Sequence, residues 1–134
     1  MHAVHSLPVR VYYEDTDAGG IVYHASYLRF AERGRTEMLR DAGFEHAEIL
    51  KKQGIAFTVI HMDISFKSPA KLDELLVVKT GMKEVKGASM VMEQKILRGD
   101  TLLVDITVKI ACIDKAGKAA RLPEAVRGIF KHKT

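Results

Sequence analysis

Long stretches in the second half of the chain alternate apolar and polar residues with a period of two, and this leaves few folds open. Between Ile55 and Phe66, Ala56, Thr58, Ile60, Met62, Ile64 and Phe66 fall on one face, while His61, Asp63 and Ser65 make the other polar. Thr101–Ile113 repeats the pattern, with Leu102, Val104, Ile106, Val108, Ile110 and Cys112 set against Thr101, Asp105, Thr107 and Lys109. Such alternation marks half-buried antiparallel strands. Two further strands are predicted between them, at about Glu74–Val85 and Ser89–Arg98, with hairpin turns at Lys86–Gly87 and Gly99–Asp100. Pro69 with Asp73, and later Lys115–Pro123, mark loops. A short strand at about Leu7–Tyr13 opens the chain, and another near Ala125–Lys131 closes it.

One segment departs from this rhythm. Tyr27, Ala31, Gly34, Met38 and Ala42 recur at helical spacing, Leu28 and Leu39 widen the stripe, and Glu32, Arg33, Arg35, Glu37 and Arg40 mostly take the opposite side. This predicts an amphipathic helix over Tyr27–Ala42, stopped by Gly43, with a second short helix at about Glu45–Lys52. Gly34 in mid-helix costs about 1 kcal/mol relative to Ala, which is recovered if the helix approaches a sheet closely there. One long helix and one broad antiparallel sheet give an α+β fold in which the sheet wraps around the helix. The sheet's outer face then meets solvent or a second subunit.

With 134 residues, the chain suits one domain, 1–134, able to bury an ordinary core without disulfides or metal. Its longest apolar runs are a few residues, too short to span a membrane, and the start MHAVHSLPVR lacks a secretory signal's apolar segment. Cys112 is a lone cysteine and no zinc-type ligand set is present, so a reducing cytoplasm is expected and no metal or redox cofactor is implied. The net charge of +4 comes from the C-terminal end, where Lys115, Lys118, Arg121, Arg127, Lys131 and Lys133 face only Asp114 and Glu124. Aromatic residues do not interleave with these cations, apart from Phe130, so no nucleic-acid partner is expected.

Chemistry concentrates between the first strand and the long helix, in Val11-Tyr-Tyr-Glu-Asp-Thr-Asp-Ala-Gly-Gly-Ile-Val-Tyr-His-Ala-Ser-Tyr27. Glu14, Asp15 and Asp17 crowd four positions, and a carboxylate tuned by like-charged neighbours and partial burial can act as base or nucleophile. Gly19 and Gly20 remove side chains just before the helix and let a substrate approach the backbone. The unpaired amides of a helix N-terminus can hold a developing oxyanion. His24 stands beside that start, and Ser26 is the expected N-cap.

The run YYEDTDAGGIVYHASYLRFAERGRTEMLRDAGF resembles the signature of hotdog-fold acyl-CoA thioesterases of the 4-hydroxybenzoyl-CoA thioesterase type, within their Tol-Pal-associated, YbgC-like branch. Ile64-Ser-Phe-Lys-Ser-Pro-Ala-Lys-Leu-Asp73 is similar to that family's turn after the second strand. The resemblance covers nearly the whole chain and implies a hotdog fold, homodimers or homotetramers with the site between subunits, and hydrolysis of an acyl-CoA thioester. Residue by residue, it places the catalytic carboxylate on Asp17, the first-strand tyrosine on Tyr13, the branch's histidine on His24 and the carbonyl-polarising amide at position 24. Glu32 and Glu37 stand where another hotdog branch carries its helix carboxylate, and here they belong to the charged helix face.

A CoA substrate brings phosphates, so cations are expected at the site's mouth, with Lys67, Lys71 and Lys86 as candidates and Ser68 and Ser89 as polar contacts. Phe57, Val59 and Met62 are candidates for the acyl pocket. The sequence leaves open Asp17 as nucleophile or general base, and CoA or acyl carrier protein as the acyl carrier. A different class of function, a non-catalytic acyl-CoA or acyl-carrier-protein adaptor in a lipid-synthesis or envelope complex, would use the same fold and pocket.

Overall fold

The computed structural model describes residues 2–131, so Lys133 of the basic end lies outside the described residues. Chain order is β1 (His2–Arg10), a single 3-10 turn (Tyr13–Asp15), α1 (His24–Asp41), α2 (His46–Gln53), β2 (Ile55–Phe66), β3 (Leu75–Val85), β4 (Ser89–Arg98), β5 (Thr101–Asp114) and α3 (Glu124–Lys131). The strands make one antiparallel sheet in the order β1-β3-β4-β5-β2. β3, β4 and β5 follow one another by hairpins, the second of them turning at Gly99–Asp100 between the paired Arg98 and Thr101. β1 and β2 are therefore the two edges.

α1 packs on one face of the sheet, against β1 and β3. Tyr27, Phe30, Ala31, Met38 and Leu39 of the helix are buried among Leu76, Val78, Met82, Met92, Ile96, Ile106 and Val108 of the strands. Each large apolar side chain so buried stabilises the fold by roughly 1.5–3 kcal/mol. The alternation in β4 and β5 becomes alternating full and partial burial along both strands. Gly34 faces β3, and a β-carbon built there would meet Val78, Thr80 and Gln94, so the close approach expected of this glycine is present.

Several boundaries differ from the sequence reading. α1 starts three residues earlier, and its N-cap is Tyr23, not Ser26. Ser26 instead spends its hydroxyl on the Asp15 carbonyl, which ties the preceding turn to the helix. At the other end Gly43, at φ +92°, stops the helix as expected. Its amide bonds Arg40 O while the Phe44 amide bonds Leu39 O, the paired closure of a Schellman turn. β1 ends at Arg10, so Tyr13 lies in the 3-10 turn and not on the first strand.

Two corrections are larger. Ala125–Lys131 is the helix α3, not a strand, and it buries Val126 at its start while Leu122 just before it is buried too. In β2 the pairing with β5 slips between Val59 and His61. An extra residue flips the facing of everything beyond it. Ile55 and Phe57 therefore pack inward before the bulge, Met62 and Ile64 after it, and Val59 and Ile60 are exposed where one unbroken apolar face was expected.

Candidate active site

The segment between β1 and α1 folds into a small hairpin pinned to the loop after β2. Thr16 bridges Val22, the Asp17 amide donates to Ile21 O, and the Gly20 amide donates to Asp17 O. On its other side, Val22 donates to Ala70 O and Leu72 donates to Gly20 O. Gly20 adopts φ +75°, a conformation that favours glycine at the turn.

The three clustered carboxylates have different surroundings. Asp15 is buried and structural: its carboxylate accepts the Tyr12 amide at 2.8 Å, and its carbonyl accepts the Tyr23 amide and the Ser26 hydroxyl. Glu14 is exposed and lines a hollow between β1 and α1 that includes neither Asp17 nor His24. Asp17 is exposed at the hairpin tip. Its Oδ1 accepts the Gly19 amide at 2.9 Å and the Ile21 amide at 3.4 Å, so the carboxylate is held on the turn through one oxygen. The Gly19 amide thus serves Asp17 directly.

His24 opens α1 beside this hairpin. Tyr23 gives the helix no side-chain cap, and the Ser26 amide is taken by Tyr23 O. Among the described residues, the His24 amide has no hydrogen-bond partner, so the positive end of the α1 dipole is open there. The His24 ring packs on Phe66 with centroids 4.7 Å apart. Together with Ile21, Val22, Tyr27, Lys67, Ser68 and Pro69 they line a pocket of about 190 Å³.

The pocket's far wall is the loop after β2. The Lys67 and Ser68 amides both donate to Leu103 O, and the Ala70 amide donates to the Tyr27 hydroxyl at 2.9 Å. Arg98 bonds both Pro69 O and Glu74, and Glu74 also accepts the Lys71 amide. Burial pushes the Tyr27 hydroxyl's pKa above its ordinary value of 10.0, which keeps it a neutral partner for that amide.

The structure therefore brings His24, Lys67 and Ser68 into one pocket, with Asp17, Gly19 and Gly20 on the adjoining hairpin. It does not bring in the other two candidates within one chain. Tyr13 is 81% exposed in the 3-10 turn. Ser89 pairs with Ala111, eight residues along β5 from the Leu103 that anchors Lys67, or about 26 Å of strand. Of the candidate cations, Lys86 forms an ion pair with Glu84 near the Ser89 end. Phe66 and Tyr27 escaped the sequence reading because both look like ordinary apolar positions of a strand and a helix. Among the described residues no cluster of His, Cys, Asp and Glu is arranged to hold a metal, and no helix is long and apolar enough to cross a membrane.

Comparison with known proteins gives this geometry a context. Residues 19–104 match the thioesterase superfamily. The chain is 49% identical to the acyl-CoA thioesterase YbgC of Haemophilus influenzae over 95% of its own length and 94% of that protein. It is 44% identical to the acyl-CoA thioester hydrolase YbgC of Escherichia coli, over 92% and 93% of the two chains. Among solved structures, a probable thioesterase from Bartonella henselae superposes with a TM-score of 0.86 at 47% identity, covering 90% of this chain and 99% of that one. A 1,4-dihydroxy-2-naphthoyl-CoA thioesterase from Synechocystis, at 21% identity over 96% of each chain, shares the fold with a TM-score of 0.88.

Proposed function

The chain belongs to the thioesterase superfamily, and from that premise we propose that it hydrolyses an acyl-CoA thioester to the free acid and CoA, with Asp17 and the amide of His24 as the reacting machinery. The reading rests above all on an uncapped helix N-terminus opening at the pocket that His24 and Phe66 line, with a carboxylate on the hairpin just before it. The thioester carbonyl sits against the His24 amide, whose N–H and helix dipole stabilise the oxyanion as the carbonyl carbon turns tetrahedral. Asp17 uses Oδ2, the oxygen left over from its turn bonds, either to attack that carbon or to take a proton from an attacking water. The CoA thiolate leaves with the electron pair of the C–S bond. If Asp17 attacked, water then cleaves the resulting anhydride. Thiolate leaves readily, so no strong general acid is needed.

The orienting role goes to His24, whose ring is fixed on Phe66, in preference to the exposed Tyr13. Lys67 and Ser68 at the mouth suit the phosphates and pantetheine of CoA. The chain acts as one domain, 1–134, in the cytoplasm. It associates through the edge of β2, which shows Val59 and Ile60 and, among the described residues, has only β5 as a neighbouring strand. A thiol-release assay over CoA and acyl-carrier-protein thioesters tests the reaction: thiol and free acid should appear in equal amounts. Tight binding of acyl-CoA without thiol release would leave the adaptor reading in its place.

A further inference from the structure

A second cavity, of about 290 Å³, lies at the other end of α1, between that helix, the start of α2 and the first half of β2. On α1 the positions His24, Leu28, Glu32, Arg35 and Leu39 follow one another at spacings of four, four, three and four, which sets them on one helical stripe. That stripe runs from the pocket at His24 to this cavity, which Glu32, Arg35 and Leu39 line. β2 runs the opposite way alongside, with Phe66 at the first pocket and Phe57–Val59 at the second. α1 leans on β1 and β3 and meets β2 through the rings of His24 and Tyr27 against Phe66. Arg35 follows His24 by eleven residues, about 16 Å along the helix.

The cavity contains hydrogen-bonding capacity that the chain does not use. Arg35 is only 7% exposed, yet its guanidinium makes a single hydrogen bond among the described residues, from Nη1 to Gln94 Oε1 at 3.0 Å. Gln94 is itself committed, since its Nε2 donates to Ala31 O and to Thr80 Oγ1. It therefore holds the guanidinium in place and leaves the remaining donors free. His46, edge-on to Phe44 and Phe57, has a buried Nδ1 with no partner. The hydroxyl-bearing residues Thr36 and Thr58 complete the polar lining, against the apolar Leu39, Phe57, Val59 and Ile110. The His46 Nδ1 is buried without a partner, and Arg35 lines the same cavity with donors to spare, so the cavity suits a hydrogen-bonding occupant. Burial also pushes the Arg35 pKa down and the His46 pKa down, and a negative charge in the cavity would relieve the first. The other charges in reach are Glu32, an exposed carboxylate of the same lining that raises the pKa of both Arg35 and His46, and Arg40, which lowers that of His46.

We propose that this cavity receives the far end of the acyl group when that end is a carboxylate, making ω-carboxyl acyl thioesters the preferred substrate class. This rests on the thioesterase reading. A guanidinium fork with free donors is matched by a planar carboxylate, and Thr36, Thr58 and His46 can complete its shell.

The test compares length-matched pairs on the full chain, extended to acyl groups long enough to span the distance along α1: suberyl- against octanoyl-CoA, sebacyl- against decanoyl-CoA, dodecanedioyl- against dodecanoyl-CoA and tetradecanedioyl- against tetradecanoyl-CoA. The kcat/KM ratio of acid to alkyl substrate should reach about tenfold or more at one length, the worth of one charge-assisted hydrogen bond. Arg35→Met should bring that ratio to about one. His46→Phe and Thr58→Val, which leave the Arg35–Gln94 bond in place, should each lower it and serve if Arg35→Met does not fold. Hydrolysis of the alkyl thioesters with no acid preference at any length overturns this proposal and leaves the thioesterase reading standing. Silence toward every thioester overturns both.

Discussion

A β-carbon added to Gly34 would stand 2.7 Å from Val78 Cγ1, closer than non-bonded carbons can approach. The same atom would meet Thr80 Oγ1 at 2.9 Å and Gln94 Nε2 at 3.2 Å, so α1 and β3 touch backbone to side chain at this point. Gly34→Ala gains about 1 kcal/mol of helix propensity. It also forces apart a packed interface, at roughly 1–3 kcal/mol. The crowding wins, because Thr80 and Gln94 are both fully buried and hydrogen-bonded to each other. We expect Gly34→Ala to lower the urea midpoint and Gly34→Val to lower it further. An Ala variant with a raised midpoint would show that the sheet yields there.

Asp17 offers a cleaner separation of chemistry from structure. Its turn bonds are accepted by Oδ1, and an asparagine carbonyl at the same place accepts them equally well. Asp17→Asn should therefore keep its unfolding midpoint and lower kcat by about a hundredfold or more, the scale of losing a base or nucleophile. Asp17→Ala, which removes the turn acceptor as well, should lose stability besides. Wild-type turnover from a folded Asn variant would remove the carboxylate from the mechanism.

These two sites mark how far the sequence could be read. Gly34 was legible because a mid-helix glycine has a cost that only close packing recovers. The ends of β2 and β4 were legible because alternation persists along them and turn residues close it. Ala125–Lys131 was misread as a strand since so short an apolar run carries both periods, and only its packing against β3 and β1 decides for a helix. The flip of β2 at Ile60 had no local signal, since apolar residues stand at both Val59 and Ile60. Within the site, Asp17 and the glycines could be grouped because they adjoin in sequence. Phe66 against His24, and Arg35 against Gln94, depend on contacts across the fold. Ser89, at the start of β4, is separated from the pocket within one chain by the length of β5, a distance that the sequence alone does not show.

The Tyr27 hydroxyl makes a pH prediction with a definite sign. Burial raises its pKa above 10.0, so the folded chain holds the proton more tightly than the unfolded chain does. Its contribution is complete below pH 10 and is lost as the pH rises from there through the folded value. Stability should fall above pH 10, and Tyr27→Phe should fall less steeply across that window. At neutral pH the Phe variant leaves the Ala70 amide without its acceptor, at a cost of about 1–3 kcal/mol. Urea midpoints at pH 7 and above pH 10 check both parts. Parallel slopes for the two proteins would mean that other groups carry the alkaline loss.

The edge of β2 carries the prediction on assembly. Twelve residues of strand have β5 on one side and, among the described residues, no strand on the other, and Val59 and Ile60 are 44% and 53% exposed beside the bulge. An edge of this length with two neighbouring aliphatic side chains is a template for pairing, and natural sheets guard such edges with charge. Here the exposed His61 and Asp63 that follow pair with each other, and the apolar pair itself carries no charge, which fits an edge that a second copy covers. Lysine at Ile60 supplies the missing guard without touching the buried core, so Ile60→Lys should retain its far-ultraviolet circular dichroism and sediment as a smaller species than the wild type. If the site lies between subunits, thioester hydrolysis should fall with the dissociation and recover partly at high protein concentration. A wild-type chain that sediments as a fully active monomer would place the whole reaction within one protomer and leave Val59 and Ile60 without this role.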